Sequence, residues 1–166
     1  MDIVTKENLR IQSIKSIKVY VSQMIFDLAS GNEEPRTGLE GKFSIHYALT
    51  TALLRGETGL RAFTDEKVND PKMREFMKKI SLRVDKKLSK LKTIVELETN
   101  SGDVYSRIVN VEEVPELKEK KIRAKDKYVD VCGPVLGEEK TKDLMELILS
   151  LEKLDNMKRF TEKIQI

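Results

Sequence analysis

Apolar and polar residues alternate through Ser16-Ile17-Lys18-Val19-Tyr20-Val21, which predicts a half-buried strand with Ile17, Val19 and Val21 on one face. Ahead of it, residues 5–13 form a short predicted helix with Thr5 as its cap. Residues 24–29 fit either an extension of the strand or a helical turn. Gly31-Asn32-Glu33-Glu34-Pro35 is a break, and the predicted loop runs on to Gly41. From 45 to 54 the apolar positions fall on every side of a helix. Ile45, Leu49 and Leu53 form one ridge, and Ser44, Ala48 and Ala52 form a strip of small residues. A helix apolar all round is a buried helix, and Ser44 can cap it by accepting a hydrogen bond from an amide two or three residues on.

Further along, Gly56 and Gly59 supply a chain reversal. Asp70-Pro71 opens a second helix, with Asp as cap, Pro in the first turn, and Met73, Phe76, Met77 and Ile80 at amphipathic spacing. Residues 81–84 form a short predicted strand. Residues 93–99 and 104–111 both alternate, and Asn100-Ser101-Gly102-Asp103 between them predicts a hairpin. Val114-Pro115 closes it. A helix is expected over 116–131, broken by Gly133-Pro134. Leu144, Leu147, Ile148, Leu151 and Leu154 then mark one helical face, with a corner near Leu154-Asp155-Asn156 before Met157, Phe160 and Ile164. The expected fold class is α+β: a two-layer sandwich with a roughly four-stranded sheet, a buried central helix and C-terminal helices. The expected division is an α+β domain over 1–132 and a helical extension over 133–166, packed on that domain or on a partner.

Composition narrows the function classes. The 39% hydrophobic content is enough for a core, and 5% aromatics with no Trp makes that core aliphatic. Thirty-one basic residues against 28 acidic leave a formal charge of +3, too small and too interspersed for a nucleic-acid surface. The one cysteine, Cys132, excludes an intramolecular disulfide and a cysteine zinc site. With no apolar signal core and no membrane-length apolar window, the chain reads as soluble and cytoplasmic. Phosphate-binding glycine loops, a nucleophile elbow and paired metal ligands are all absent from the sequence. His46 is the only histidine, which excludes a histidine metal cluster, and it is assigned a structural or exposed role. No metal and no cofactor are expected.

Candidate chemistry gathers where the central helix begins. Lys42 sits at the mouth of that helix, where a lysine can hold a carboxylate as a point charge. Ser44 and the free amides beside it would complete an anion site. A capped core helix preceded by a lysine is also ordinary architecture, so the pattern alone does not make a site.

Lys42-Phe43-Ser44-Ile45-His46-Tyr47-Ala48, then Ala52-Leu53-Leu54-Arg55-Gly56, Phe63-Thr64 and Asp70-Pro71 together resemble the MmgE/PrpD family, over its C-terminal half. Members include 2-methylcitrate dehydratase, cis-aconitate decarboxylase and iminodisuccinate epimerase. The resemblance implies a lid domain of a lyase or isomerase that acts on di- or tricarboxylic acids in a cleft between two domains. It implies substrate binding by Lys42 and Ser44, with Phe43 and Tyr47 shaping the wall. The family's proposed acid/base residues lie mostly in a larger, helical N-terminal domain, so the catalytic residues are unknown here and the chain is not expected to be catalytic alone. Implied partners are a small carboxylic acid and either a separate helical subunit or a second copy of the chain. The alternatives are a homodimeric, non-catalytic anion-binding module and a degenerate remnant of the family.

Overall fold

The computed structural model describes residues 4, 6–110, 113 and 115–164. The expected Thr5 cap and the positions of Val111 and Val114 lie outside the described residues. The chain forms two compact units, Met1–Val114 and Pro115–Ile166.

In the first unit, β1 (Ile14–Val21) carries the expected alternation, with Ile17, Val19 and Val21 buried and Lys15 and Lys18 exposed. It joins β2 (Ile80–Val84), β3 (Lys92–Thr99) and β4 (Val104–Asn110) in one mixed sheet of order β2-β1-β3-β4. β1 and β2 run parallel, and the β1–β3 and β3–β4 pairs run antiparallel. The register sets Ile17 opposite Ile80 and Leu97, and Val19 opposite Leu82 and Val95, so one face of the sheet is apolar across β2, β1 and β3. The other face is polar at its centre. Tyr20 donates to Glu96 at 2.9 Å, and Lys15 pairs with Glu98 at 2.6 Å. The predicted hairpin joins β3 to β4, with Gly102 at φ +92°, a conformation that a side chain would strain.

Between β1 and β2 the chain makes α1 (Gln23–Ala29), α2 (Gly38–Lys42), α3 (Ile45–Arg55), α4 (Asp65–Val68) and α5 (Pro71–Met77). The ambiguous stretch after β1 is therefore helical. Asp70 caps α5 by accepting from the Lys72 amide at 2.8 Å, with Pro71 in its first turn, as the Asp-Pro pair predicts.

α3 is the central element. Ile45, Leu49 and Leu53 pack against the sheet-side core of Ile14, Ile17, Val19, Val21, Phe76, Ile80, Leu82 and Leu97. Tyr47 belongs to a second core with Val68, Met73 and Met77, and Leu54 packs against both. A helix with apolar neighbours on two sides is what the all-round apolar pattern predicts. Each fully buried aliphatic side chain in these clusters contributes roughly 1.5–3 kcal/mol to folding.

Two expectations are corrected. The loop predicted up to Gly41 contains α2. Thr37 caps it by accepting from the Glu40 amide at 3.2 Å, and the Glu40 carboxylate accepts from the Arg36 amide at 2.6 Å. In the second unit, α6 (Leu117–Leu136) runs through Gly133-Pro134, which was expected to break it. Proline removes one amide from the ladder, and the Gly137 amide closes the last turn on the Gly133 carbonyl at 2.9 Å. α7 (Glu138–Leu149) and α8 (Lys158–Ile164) follow, with Leu154 in an extended conformation at the predicted corner. Leu144 is the buried residue of the predicted leucine face; Ile148 and Leu151 are exposed. A Lys163–Asp143 ion pair of 2.9 Å joins α8 to α7.

Candidate functional site

The surface around Lys42 is built by two glycines. Gly38 and Gly41, one turn apart on α2, are both buried. A Cβ on Gly38 would lie 2.3 Å from the Phe63 carbonyl oxygen, and one on Gly41 would lie 3.0 Å from Val68 and 3.1 Å from the Tyr47 ring. α2 therefore lies with its bare backbone against the 63–68 segment, and the Gly38 amide donates to Asp65 Oδ1 at 2.6 Å. The opposite side of the helix faces out. Leu39, Lys42 and Phe43 are exposed, Phe43 to 64%.

Ser44 ends this turn and begins the next. Its Oγ accepts from the Tyr47 amide at 3.1 Å, the cap the sequence predicts, and the residue is only 1% exposed. The Ile45 and His46 amides at the start of α3 have no acceptor within the helix. Tyr47 is fully buried. Its hydroxyl donates to the Ala62 carbonyl at 2.5 Å, and its ring meets Phe63 edge-on at 5.7 Å. Burial raises the Tyr47 pKa above the ordinary value of 10.0, so the phenol stays neutral.

The four residues singled out from sequence are thus neighbours with different surroundings. Lys42 and Phe43 are on the surface, and Ser44 and Tyr47 lie beneath it. Among the described residues, Lys42 has no ion-pair or hydrogen-bond partner, while Lys67 is held by Glu57 at 2.6 Å and Lys79 by the Ile14 carbonyl at 2.6 Å.

Two clefts lie elsewhere on this unit, and neither includes the four residues. One, of about 770 Å³, has an apolar floor of Ile11, Leu54, Met73 and Phe76 and a rim that includes the Arg55–Asp70 ion pair. The other, of about 450 Å³, is lined by Glu33, Glu34, His46, Arg74 and Lys78. His46 is 5% exposed, and burial holds its pKa below the usual 6.5, with Glu33 opposing that shift. Arg74 spans from the Pro35 carbonyl (2.9 Å) to Asn69 Oδ1 (2.7 Å) and ties the loop before α2 to α5. Sequence reasoning identified neither Arg74 nor the Arg55–Asp70 pair. The available signal was Asp70, recognised there only as a cap.

Among the described residues no cluster of three His, Cys, Asp or Glu is arranged to hold a metal ion, and no helix is long and apolar enough to cross a membrane. Among curated proteins none matches this chain. A family profile, the MmgE/PrpD C-terminal domain, matches residues 1–153, which takes in the whole sheet, the Lys42 surface and most of the second unit. With that match added to the α+β fold and the motif run from Lys42 to Pro71, the chain belongs to the MmgE/PrpD family, through its C-terminal domain.

Proposed function

We propose that this chain is the lid part of an MmgE/PrpD-type lyase or isomerase of di- or tricarboxylic acids, and that it contributes a contact to a substrate carboxylate. The observation that carries the reading is Lys42: an exposed ammonium without a partner among the described residues, beside an exposed Phe43, at the start of α3. The cation attracts a carboxylate, the unpaired amides at the helix start favour negative charge, and the aromatic ring offers an apolar wall. Ser44 and Tyr47 act behind this surface. Ser44 fixes where α3 begins, and Tyr47 supports the glycine face of α2, so both position Lys42 rather than touch the ligand.

Neither His46 nor Tyr47 is suited to take a proton from carbon at this surface. His46 is buried away from Lys42's surface in the second cleft, and Tyr47 is neutral and committed to Ala62. The acid/base residues are therefore assigned to a helical body that this surface would close upon, and the lid's share is binding and exclusion of water.

Titration of the full chain with citrate, followed by amide NMR shifts, tests the reading. Shifts centred on Gly41–Tyr47 are expected. They should vanish in Lys42→Ala and persist in Lys72→Ala, a lysine on α5. Absence of shifts at millimolar citrate, or shifts indifferent to Lys42→Ala, would overturn it.

A further inference from the structure

β4 is the outer strand beyond β3, and on the face away from the helices its side chains are open: Val104 and Ile108 are each 64% exposed. The strand keeps an unbroken register with β3 over its seven residues, and it contains neither proline nor lysine. Proline and lysine are among the devices that ordinarily blunt a sheet edge, and Arg107 is the one charged residue on this strand.

Parity decides which backbone groups are open. The Thr99 amide donates to the Asp103 carbonyl at 2.9 Å, which makes 99 and 103 a hydrogen-bonded pair. Such pairs alternate along an antiparallel ladder. The next ones are Leu97 with Tyr105, Val95 with Arg107 and Thr93 with Val109. The N–H and C=O groups of Val104, Ser106 and Ile108 therefore point away from β3.

A second β4, run antiparallel and centred on Ser106, meets these groups in register. Ser106 falls opposite Ser106, and Val104 opposite Ile108 on both sides of the two-fold axis. Each pair exchanges two N–H···O bonds, and the exposed aliphatic side chains cover one another. On the other face Tyr105 falls opposite Arg107, so no like charges meet. Centring on Val104 or Ile108 would shorten the ladder, and centring on Arg107 would set two Arg107 side chains directly opposite each other, where like charges destabilise the pair.

We propose that β4 is a self-association edge, through which two copies of the chain join their sheets by an antiparallel pair of β4 strands centred on Ser106. The edge contains none of the residues assigned to carboxylate binding, so the inference stands apart from that reading. A strand pair buries less than the roughly 1,200 Å² of a standard interface, so the dimer should be reversible.

Sedimentation equilibrium of the full chain tests this. Wild type should show a concentration-dependent monomer–dimer equilibrium. Ser106→Pro removes only an outward N–H, and Ile108→Lys adds charge to the edge; each should be monomeric with an unchanged circular dichroism spectrum. Lys42→Ala should still dimerise. In a Cys132→Ser background, Ser106→Cys should form a disulfide-linked dimer with diamide, because a hydrogen-bonded pair spans about 5.5 Å between Cα atoms. Arg107→Cys should not. If Ser106→Pro fails to fold, Ile108→Lys and the cross-link decide. A wild type that stays monomeric to millimolar concentration, or a dimer that survives Ile108→Lys, would overturn the proposal.

Discussion

Gly38→Ala tests how the Lys42 surface is seated. The new Cβ would lie 2.3 Å from the Phe63 oxygen and 2.7 Å from its carbonyl carbon. Carbon–oxygen contacts settle at about 3.3–3.6 Å, so something must move by about 1 Å. The obstacle is main chain and has no rotamer to escape into. The same 63–68 segment also holds the Gly38 amide through Asp65, so separating the two would stretch a 2.6 Å hydrogen bond. Overpacking of this kind costs about 1–3 kcal/mol. Helix propensity opposes it by up to about 1 kcal/mol, since alanine is the better helix former. The net expectation is a loss of roughly 1–2 kcal/mol. Gly41→Ala is the matched control, because its nearest neighbours are the side chains of Val68 and Tyr47 at 3.0 and 3.1 Å, which can shift. Its loss should be smaller, about 0–1 kcal/mol. Urea unfolding followed at the Tyr47 ring resonances gives both values. If Gly38→Ala were as stable as wild type, or more stable, propensity would have won and the close approach would be refuted. A folded Gly38→Ala should also weaken citrate binding, because α2 could no longer sit flat against the 63–68 segment.

Other substitutions probe the surrounding supports. Tyr47→Phe removes the donor to Ala62 and leaves a buried carbonyl unpaired, so urea unfolding should show a loss of about 1–2 kcal/mol. Thr50 is fully buried with a hydroxyl that has no partner among the described residues, so Thr50→Val should raise stability by about 1 kcal/mol in the same assay. Asp70 both caps α5 and pairs with Arg55 at 2.6 Å. Asp70→Asn, which keeps the cap, should melt between wild type and Asp70→Ala in thermal scans. Burial depresses the His46 pKa below 6.5, so the unfolded chain takes up a proton that the folded chain refuses. Stability from this group is full above pH 6.5 and is lost as pH falls below it. His46→Gln should flatten the acid side of the melting-temperature profile.

Patterns that depend on neighbours in sequence were legible, and those that depend on neighbours in space were not. The alternation in β1, the Asn100–Asp103 turn, the Ser44 cap and the Asp70-Pro71 helix start are local, and each lies in the structure where it was expected. α2 was missed because Gly38 and Gly41 suggest a loop. Gly38 answers to the approach of the Phe63 backbone, some twenty-five residues on in sequence, and Gly41 to the side chains of Val68 and Tyr47, none of which a local pattern reveals. On α3 the apolar ridge of Ile45, Leu49 and Leu53 packs on the sheet-side core but is only half-buried, and the fully buried positions are His46, Tyr47, Thr50 and Thr51, because the helix has cores on two sides. For the site, adjacency of Lys42, Phe43, Ser44 and Tyr47 was readable, but which of them face solvent was not. That depends on which side of α2 has no side chains.

The glycine face also explains how a lid could present a lysine without burying it. A lysine held by a carboxylate is already neutralised, and an external carboxylate would have to displace that partner. Two other cations of this unit are held in such pairs, Lys67 by Glu57 and Arg55 by Asp70. At Lys42 the position is instead set through the backbone: Thr37 and Glu40 at one end of α2, the Gly38–Asp65 bond beneath it, and the Ser44 cap at the other end. The ammonium is left to its tether while the main chain that carries it is fixed. Backbone placement of this kind predicts that changes beneath Lys42 act on binding through geometry, and that only Lys42 itself acts through charge. Raising salt should therefore weaken citrate binding to wild type and to a folded Gly41→Ala alike, and should leave any residual binding by Lys42→Ala nearly unchanged. Equal salt dependence in Lys42→Ala would place the attracting charge elsewhere.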